Sequence, residues 1–196
     1  MYDLVAIGAS WGGLDAVSRV LAGFPEEVDL PIVVAQHRHP DSLDETLRGL
    51  LATQIGRPVT DVDDKLPIER SQVYLAPPDY HLLVERGWFA LSVDERVQHA
   101  RPSIDVLFDS AADAYGAGVI GIILTGANVD GAAGLARIKQ RGGVAIVQDP
   151  AGAARRAMPD AAIAATVADA ILPLEEIGPF IYGLWVQPRK PEGTTA

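Results

Sequence analysis

Ser10, His37 and Asp130 are the residues from which a catalytic site could be assembled in this chain. Ser10 stands in Gly8-Ala9-Ser10-Trp11-Gly12, a G-x-S-x-G pattern. An apolar run, residues 4–7, leads into it, and a helical pattern with Leu14, Val17 and Leu21 on one face follows. Such a pattern puts a serine nucleophile on a sharp strand-to-helix turn, where small neighbours avoid a Cβ clash. Free N–H groups at the helix N-terminus can then stabilise an oxyanion. Two other readings fit the same residues. Ser10 could cap a helix starting near Trp11, because serine is a favoured N-cap. Gly8, Ser10 and Gly13 also occupy the glycine positions of a dinucleotide fingerprint, although a side chain in the middle slot opposes the approach of a pyrophosphate.

Partners for Ser10 are sought at strand ends, since an open α/β sheet binds ligands outside the carboxyl ends of its strands. His37 follows the valine-rich run 30–35, Asp130 follows the run 118–124, and Asp149 follows 144–147. If the strands of Ser10 and Asp130 flank the point where strand order reverses, their loops face one crevice and His37 lies one strand over. Ser, His and Asp on three adjacent strand ends make a triad. Asp130 is preferred to Asp149 because Gly126 and Gly131 leave room around it, whereas Asp149-Pro150 reads as a turn. His39, His81 and His99 are weaker candidates for the base, and Asp15 and Asp105 read as solvated or capping residues on helices. The order Ser…His…Asp disfavours the α/β-hydrolase, chymotrypsin and subtilisin folds, whose orders differ.

The elements that must position these residues alternate as strand and helix, which predicts an α/β fold with a doubly wound, mostly parallel, Rossmann-like sheet. Ser42-Leu43-Asp44-Glu45 is a capping box opening a helix with Leu43, Leu47, Leu50 and Leu51. Short strands are predicted at 59–60, 73–76, 81–84 and 88–93, with 82–93 an antiparallel hairpin on or beside the sheet edge. Ser103 caps a helix with Ile104, Leu107, Phe108 and Ala111 inward. A helix over 132–140, a short helix after Met158-Pro159, a strand at 170–172 and a helix from 174 to about 184 complete the pattern. Residues 1–186 read as one domain, and 187–196 as a disordered polar tail.

Composition narrows the function. The net charge is −10, from 26 acidic and 16 basic residues, which argues against a nucleic-acid partner. There is no cysteine, hence neither a disulfide framework nor thiolate chemistry. No apolar run approaches the roughly 18 residues needed to insert into a membrane, and no signal segment precedes the first strand. A cytoplasmic location follows as the default. A metal hydrolase using His37-x-His39 with Asp41 has a real ligand spacing, but the chain offers only two further histidines. A nucleotide site is disfavoured by Gln36-His37, where an acidic ribose ligand belongs.

Several segments together resemble the catalytic domain of the chemotaxis protein-glutamate methylesterase (CheB) family, in order from about residue 3 to residue 180. They are Gly8-Ala9-Ser10-x-Gly12-Gly13, Gln36-His37, Val73-Tyr74-Leu75-Ala76-Pro77, Arg101-Pro102-Ser103-Ile104-Asp105-Val106-Leu107-Phe108, Ile123-Leu124-Thr125-Gly126-x-x-x-Asp130-Gly131-Ala132-x-Gly134, and Gln148-Asp149 with Met158-Pro159. The resemblance implies a Ser10–His37–Asp130 triad acting without metal or cofactor. Its substrates would be glutamate methyl esters, and for some members glutamines, on the cytoplasmic helices of methyl-accepting chemoreceptors. The backbone of Trp11 and Gly12 would form the oxyanion hole, and Trp11, Arg101, Asn128 and Met158 would line the substrate cleft.

Three positions depart from the family. Trp11 replaces threonine, Ala127-Asn128 replace Met-Gly, and Arg156-Ala157 replace an aromatic-Gly pair. Trp11 would narrow the mouth or stack on a substrate helix. A regulatory module that binds a receptor or partner with weakened catalysis is the alternative reading. With Met1 two residues before the domain, the family's N-terminal receiver domain is expected to be absent. Control would then be lacking or would come from a receiver-domain regulator in trans.

Overall fold

Valine- and isoleucine-rich runs bounded by glycine, proline and aspartate become strands because β-branched side chains pack well on a pleated surface buried on both sides. A computed structural model describes residues 2–37, 44–55 and 58–187. The strands are β1 (Leu4–Ala9), β2 (Ile32–Gln36), β3 (Val59–Asp61), β4 (Val73–Leu75), β5 (His81–Glu85), β6 (Trp88–Ser92), β7 (Val119–Ile123), β8 (Val144–Gln148) and β9 (Ala170–Leu172). The helices are α1 (Gly13–Ala22), α2 (Asp44–Ile55), α3 (Ile104–Tyr115), α4 (Ala132–Gln140), α5 (Ala157–Ala165) and α6 (Leu174–Val186).

Seven strands form a sheet in the order β3-β4-β2-β1-β7-β8-β9, and every pairing in it is parallel. The period of two along β1 divides its side chains between two cores. Val5, Ile7 and Ala9 join the cluster containing Val17, Leu21 and Ile181 from α1 and α6. Leu4 and Ala6 join the cluster containing Ile104, Leu107 and Leu135 from α3 and α4. All six residues of β1 are buried, each large apolar one contributing about 1.5–3 kcal/mol. The sheet is therefore doubly wound, as the sequence predicts.

Strand order sets where the site must lie. From β1 the chain moves to β2 on one side and later returns to β7 on the other. The loops after β1 and β7 thus leave the sheet at the switch point, and the loop after β2 is their neighbour.

Several local expectations need adjustment. β5 and β6 form a separate two-stranded sheet beside the seven-strand one, with Trp88 of β6 also bridging Pro67. Helix α3 holds them, with Val84 N donating to Ser110 Oγ at 3.0 Å and Gly87 N to Tyr115 Oη at 2.9 Å. Helix α5 begins at Ala157, so Met158 and Pro159 lie inside its first turn, where proline is tolerated. On α2, Leu51 is buried but Leu50 is exposed. The start of the capping box at Ser42 and the tail 188–196 lie outside the described residues. Among the described residues no helix is long and apolar enough to cross a membrane.

Candidate active site

The turn after β1 is shaped by glycines at close approaches. A Cβ on Gly8 would collide with Ile104, and one on Gly13 with the Gln36 amide. Gly12, with φ 78°, is the N-cap of α1 and no side chain caps this helix. Ser10 is therefore not a helix cap, which removes the simplest structural account of it. Its backbone is fastened on three sides. Ser10 N donates to Thr125 O at 2.9 Å, and Ser10 O accepts from Gln36 Nε2 at 2.7 Å and Gly13 N at 2.9 Å.

His37 leaves β2 at the matching level. Ala9 stands opposite Gln36, and His37 N donates to Ala9 O at 3.0 Å. Its Nε2 lies 2.7 Å from Asp130 Oδ2. The carboxylate is fully buried, while the imidazole keeps a narrow exposure of 13%.

Asp130 sits against the N-terminus of α3. Oδ1 accepts from Ser103 Oγ at 2.8 Å and Asp105 N at 3.0 Å, and Oδ2 from Ile104 N at 2.7 Å. Burial by itself would raise the Asp130 carboxyl, but bonds from His37, Ile104, Asp105 and Ser103 outweigh it and hold the group below its ordinary value. A helix N-terminus adds favourable potential for an anion. Asp130 is thus an ionised acceptor, so the proton facing it resides on His37 Nε2. Asn128 Nδ2 stands 3.3 Å from Nδ1, and Asn128 Oδ1 accepts from Asp130 N at 3.4 Å. Among the described residues no hydrogen bond joins Ser10 Oγ to His37.

The comparisons with known proteins are uniform. A sequence profile described as CheB methylesterase matches residues 5–181. The chain belongs to the CheB methylesterase family. A putative protein-glutamate methylesterase/protein-glutamine glutaminase of Leptospira interrogans is 45% identical over 90% of this chain and 91% of its own length. A protein-glutamate methylesterase/protein-glutamine glutaminase of Hahella chejuensis is 42% identical over 89% of this chain and 49% of its own length. The crystal structure of the CheB methylesterase catalytic domain of Thermotoga maritima superposes with a TM-score of 0.88 at 30% identity, covering 94% of this chain and 99% of that one.

Against this CheB frame the expected cleft residues divide. Trp11 is 65% exposed, with the Arg155 guanidinium 5.6 Å from its ring centroid. Asn128 and Arg101 line a cavity of about 290 Å³ beside His37. Arg101 is nevertheless a strut, donating to Asp79 Oδ1 and to the carbonyls of Val93 and Asp94. Met158, expected in the cleft, is buried and packs beneath Gly126, so it supports the wall from behind. Asp105, expected to be solvated or a cap, is buried and accepts from Gly134 N at 2.7 Å. Burial, only partly offset by that bond, pushes its carboxyl up to about 6. Asp149 caps a short 3₁₀ turn through Ala151 N, as its proline suggests.

Two supporting residues carry almost no local signal. Thr125 Oγ1 donates to Trp11 O at 2.9 Å and accepts from Arg155 N at 2.9 Å, tying the Ser10 turn to the loop before α5. His81 is buried, with Nε2 2.9 Å from Glu95 O and Nδ1 accepting from Ser103 N at 3.2 Å. It braces the residue that caps α3. His39 and Asp41, required for the metal reading, lie outside the described residues. Among the described residues no group of three or more ligand side chains could hold a metal ion.

Proposed function

We propose that the chain is a serine esterase removing methyl groups from glutamate γ-methyl esters of chemoreceptors, with Ser10 as nucleophile, His37 as base and Asp130 as its orienting anion. The observation that carries this reading is the His37–Asp130 bond of 2.7 Å at the strand end adjoining Ser10. Family membership supports the ester chemistry, and relatives named as glutaminases support amide hydrolysis as a second activity.

The chemistry follows from the arrangement. Asp130 fixes the proton on Nε2, so His37 takes the Ser10 proton at Nδ1 as Oγ attacks the ester carbonyl. Backbone N–H groups of Trp11 and Gly12, just before α1, are the donors proposed for the developing oxyanion. His37 returns its proton to the departing methanol, leaving a glutamyl ester on Ser10. Water then gives up a proton to the same nitrogen and attacks the acyl carbon; the acyl–Oγ bond breaks, His37 returns the proton to Ser10 Oγ, and the carboxylate is released. With glutamine the leaving group is ammonia.

The test is methanol release from a methylated receptor, with Ser10→Ala as control. Release that persists in the variant sinks the nucleophile assignment. A partner-binding module with weakened catalysis is favoured by one feature, the amide of Asn128 on His37 Nδ1. Tight receptor binding without turnover on any glutamyl ester or amide would establish that reading instead.

A further inference from the structure

The cavity beside the proposed triad, about 290 Å³, shares His37 and Asn128 with it. A group filling this space would sit against His37, the base proposed for the reaction. Its opposite wall is the segment carrying Arg96, Gln98, His99 and Arg101. The chain bears a net charge of −10, yet no described residue lining this cavity is acidic. Asp94 and Glu95 precede Arg96 in sequence without lining it.

The two arginines differ in what they have to spare. Arg101 is 18% exposed and gives Nε and Nη2 to Asp79 at 3.2 and 2.8 Å, and Nη1 to two backbone carbonyls. Arg96 is half exposed and makes one longer contact, 3.3 Å, to the same Asp79 oxygen. Two cations thus share one carboxylate, which leaves a single positive charge at the cavity.

Backbone conformation supplies an independent observation. Val97 and Ala100 exchange backbone hydrogen bonds of 3.2 and 2.9 Å across a two-residue turn. The residues within it, Gln98 and His99, have φ of 50° and 63°. Turns of this kind usually carry glycine, asparagine or aspartate there. Here two larger donor side chains occupy the left-handed positions, and both line the cavity. Such strain concentrates at ligand-binding segments.

We propose that this cavity binds a carboxylate of the substrate, an acidic side chain next to or one helical turn from the esterified glutamate. Arg96 supplies the charge, and Gln98 and His99 the orienting donors. One uncompensated cation matches a monoanion, and the arginine fork matches carboxylate geometry. The inference rests on the methylesterase reading and adds a consequence to it. Each hydrolysis converts an ester into a carboxylate, so removal of one methyl group creates the recognised group for a neighbouring ester.

The experiment uses helical peptides with one glutamate γ-methyl ester flanked, adjacently and one turn away, by glutamate, glutamine or lysine. Methanol release gives kcat/KM for the wild type, Arg96→Gln and Arg96→Glu. The wild type prefers the glutamate-flanked over the glutamine-flanked peptide roughly tenfold, chiefly through KM. Arg96→Gln levels that ratio, and Arg96→Glu turns the preference towards lysine, which a merely structural arginine would not do. Equal rates on the glutamate and glutamine peptides for the wild type, or an unchanged preference in Arg96→Gln, overturn the proposal. If no peptide is turned over, the methylesterase reading fails separately. Fluorescence anisotropy of the same labelled peptides then decides the carboxylate site, the same order of affinities supporting it and equal affinities overturning it.

Discussion

Asn128 Nδ2 stands 3.3 Å from Nδ1 of His37, on the ring nitrogen opposite the one that meets Asp130. Its orientation is set from both ends, because Asn128 Oδ1 accepts from Asp130 N. In the proposed mechanism Asn128 and Ser10 compete for the Nδ1 lone pair. Asn128→Ala is expected to raise kcat on a small activated ester such as p-nitrophenyl acetate by roughly fivefold, the equivalent of one neutral hydrogen bond of about 1 kcal/mol. Steady-state hydrolysis measures this. A fall of similar size would instead make Asn128 an orienting partner of the ring.

Asp130 joins the proposed catalysis to folding. Asp130→Asn keeps the shape but no longer holds the Nε2 proton in place, and kcat falls by roughly 10³- to 10⁴-fold. Its folded-state value lies below the ordinary 3.8. The stability it contributes is therefore present above 3.8 and is lost as pH falls through the lower native value. Acid titration followed by circular dichroism should show wild type losing more stability than Asp130→Asn across that interval.

Asp105 titrates in the opposite sense. Its carboxyl is raised from 3.8 to about 6 by burial. The folded chain then binds more protons than the unfolded chain between those values, so this group's contribution is present below 3.8 and is lost as pH rises to about 6. Relative to wild type, Asp105→Asn gains up to about 3 kcal/mol over that window, whatever the constant offset from its altered hydrogen bonding. Melting temperatures from pH 4 to pH 7 read the trend. A difference that stays flat would mean Asp105 is not raised.

Trp11 adjoins Ser10, the proposed nucleophile, with an exposed ring backed by Arg155. A ring in this place meets a protein substrate and has little to grip on a small ester. Trp11→Ala is expected to lower kcat/KM on methylated receptor roughly tenfold more than on p-nitrophenyl acetate, the scale of one well-placed aromatic contact. Parallel assays of the two substrates decide it, equal losses pointing to the turn backbone instead.

Much of the framework was readable along the chain because its causes are local. Residues 4–7, 30–35 and 118–124 are runs of branched apolar side chains, and each became a strand buried on both faces. Ser103 capped α3 and the helix 132–140 kept its bounds, since caps and apolar period act within one or two turns. That Ser10, His37 and Asp130 share one end of the sheet follows from their places after parallel strands, whereas their adjacency depended on a strand order that the sequence left open.

Contacts between distant elements were not readable. Met158 reads as a cleft residue until α5 packs it under Gly126, and Asp105 as solvated until Gly134 closes over it. The Ser10 motif alone allowed a cap, and only the backbone at Gly12 removed that option. The amino-acid order thus determined which residues stand at the carboxyl ends of buried strands, because a run of branched apolar side chains is legible from adjacent residues. Tertiary structure decided which nitrogen of His37 faces Asp130, which residue meets the other, and which arginine Asp79 holds more closely. Those outcomes depend on where side chains from separate strands and loops are brought together, and no local pattern encodes that.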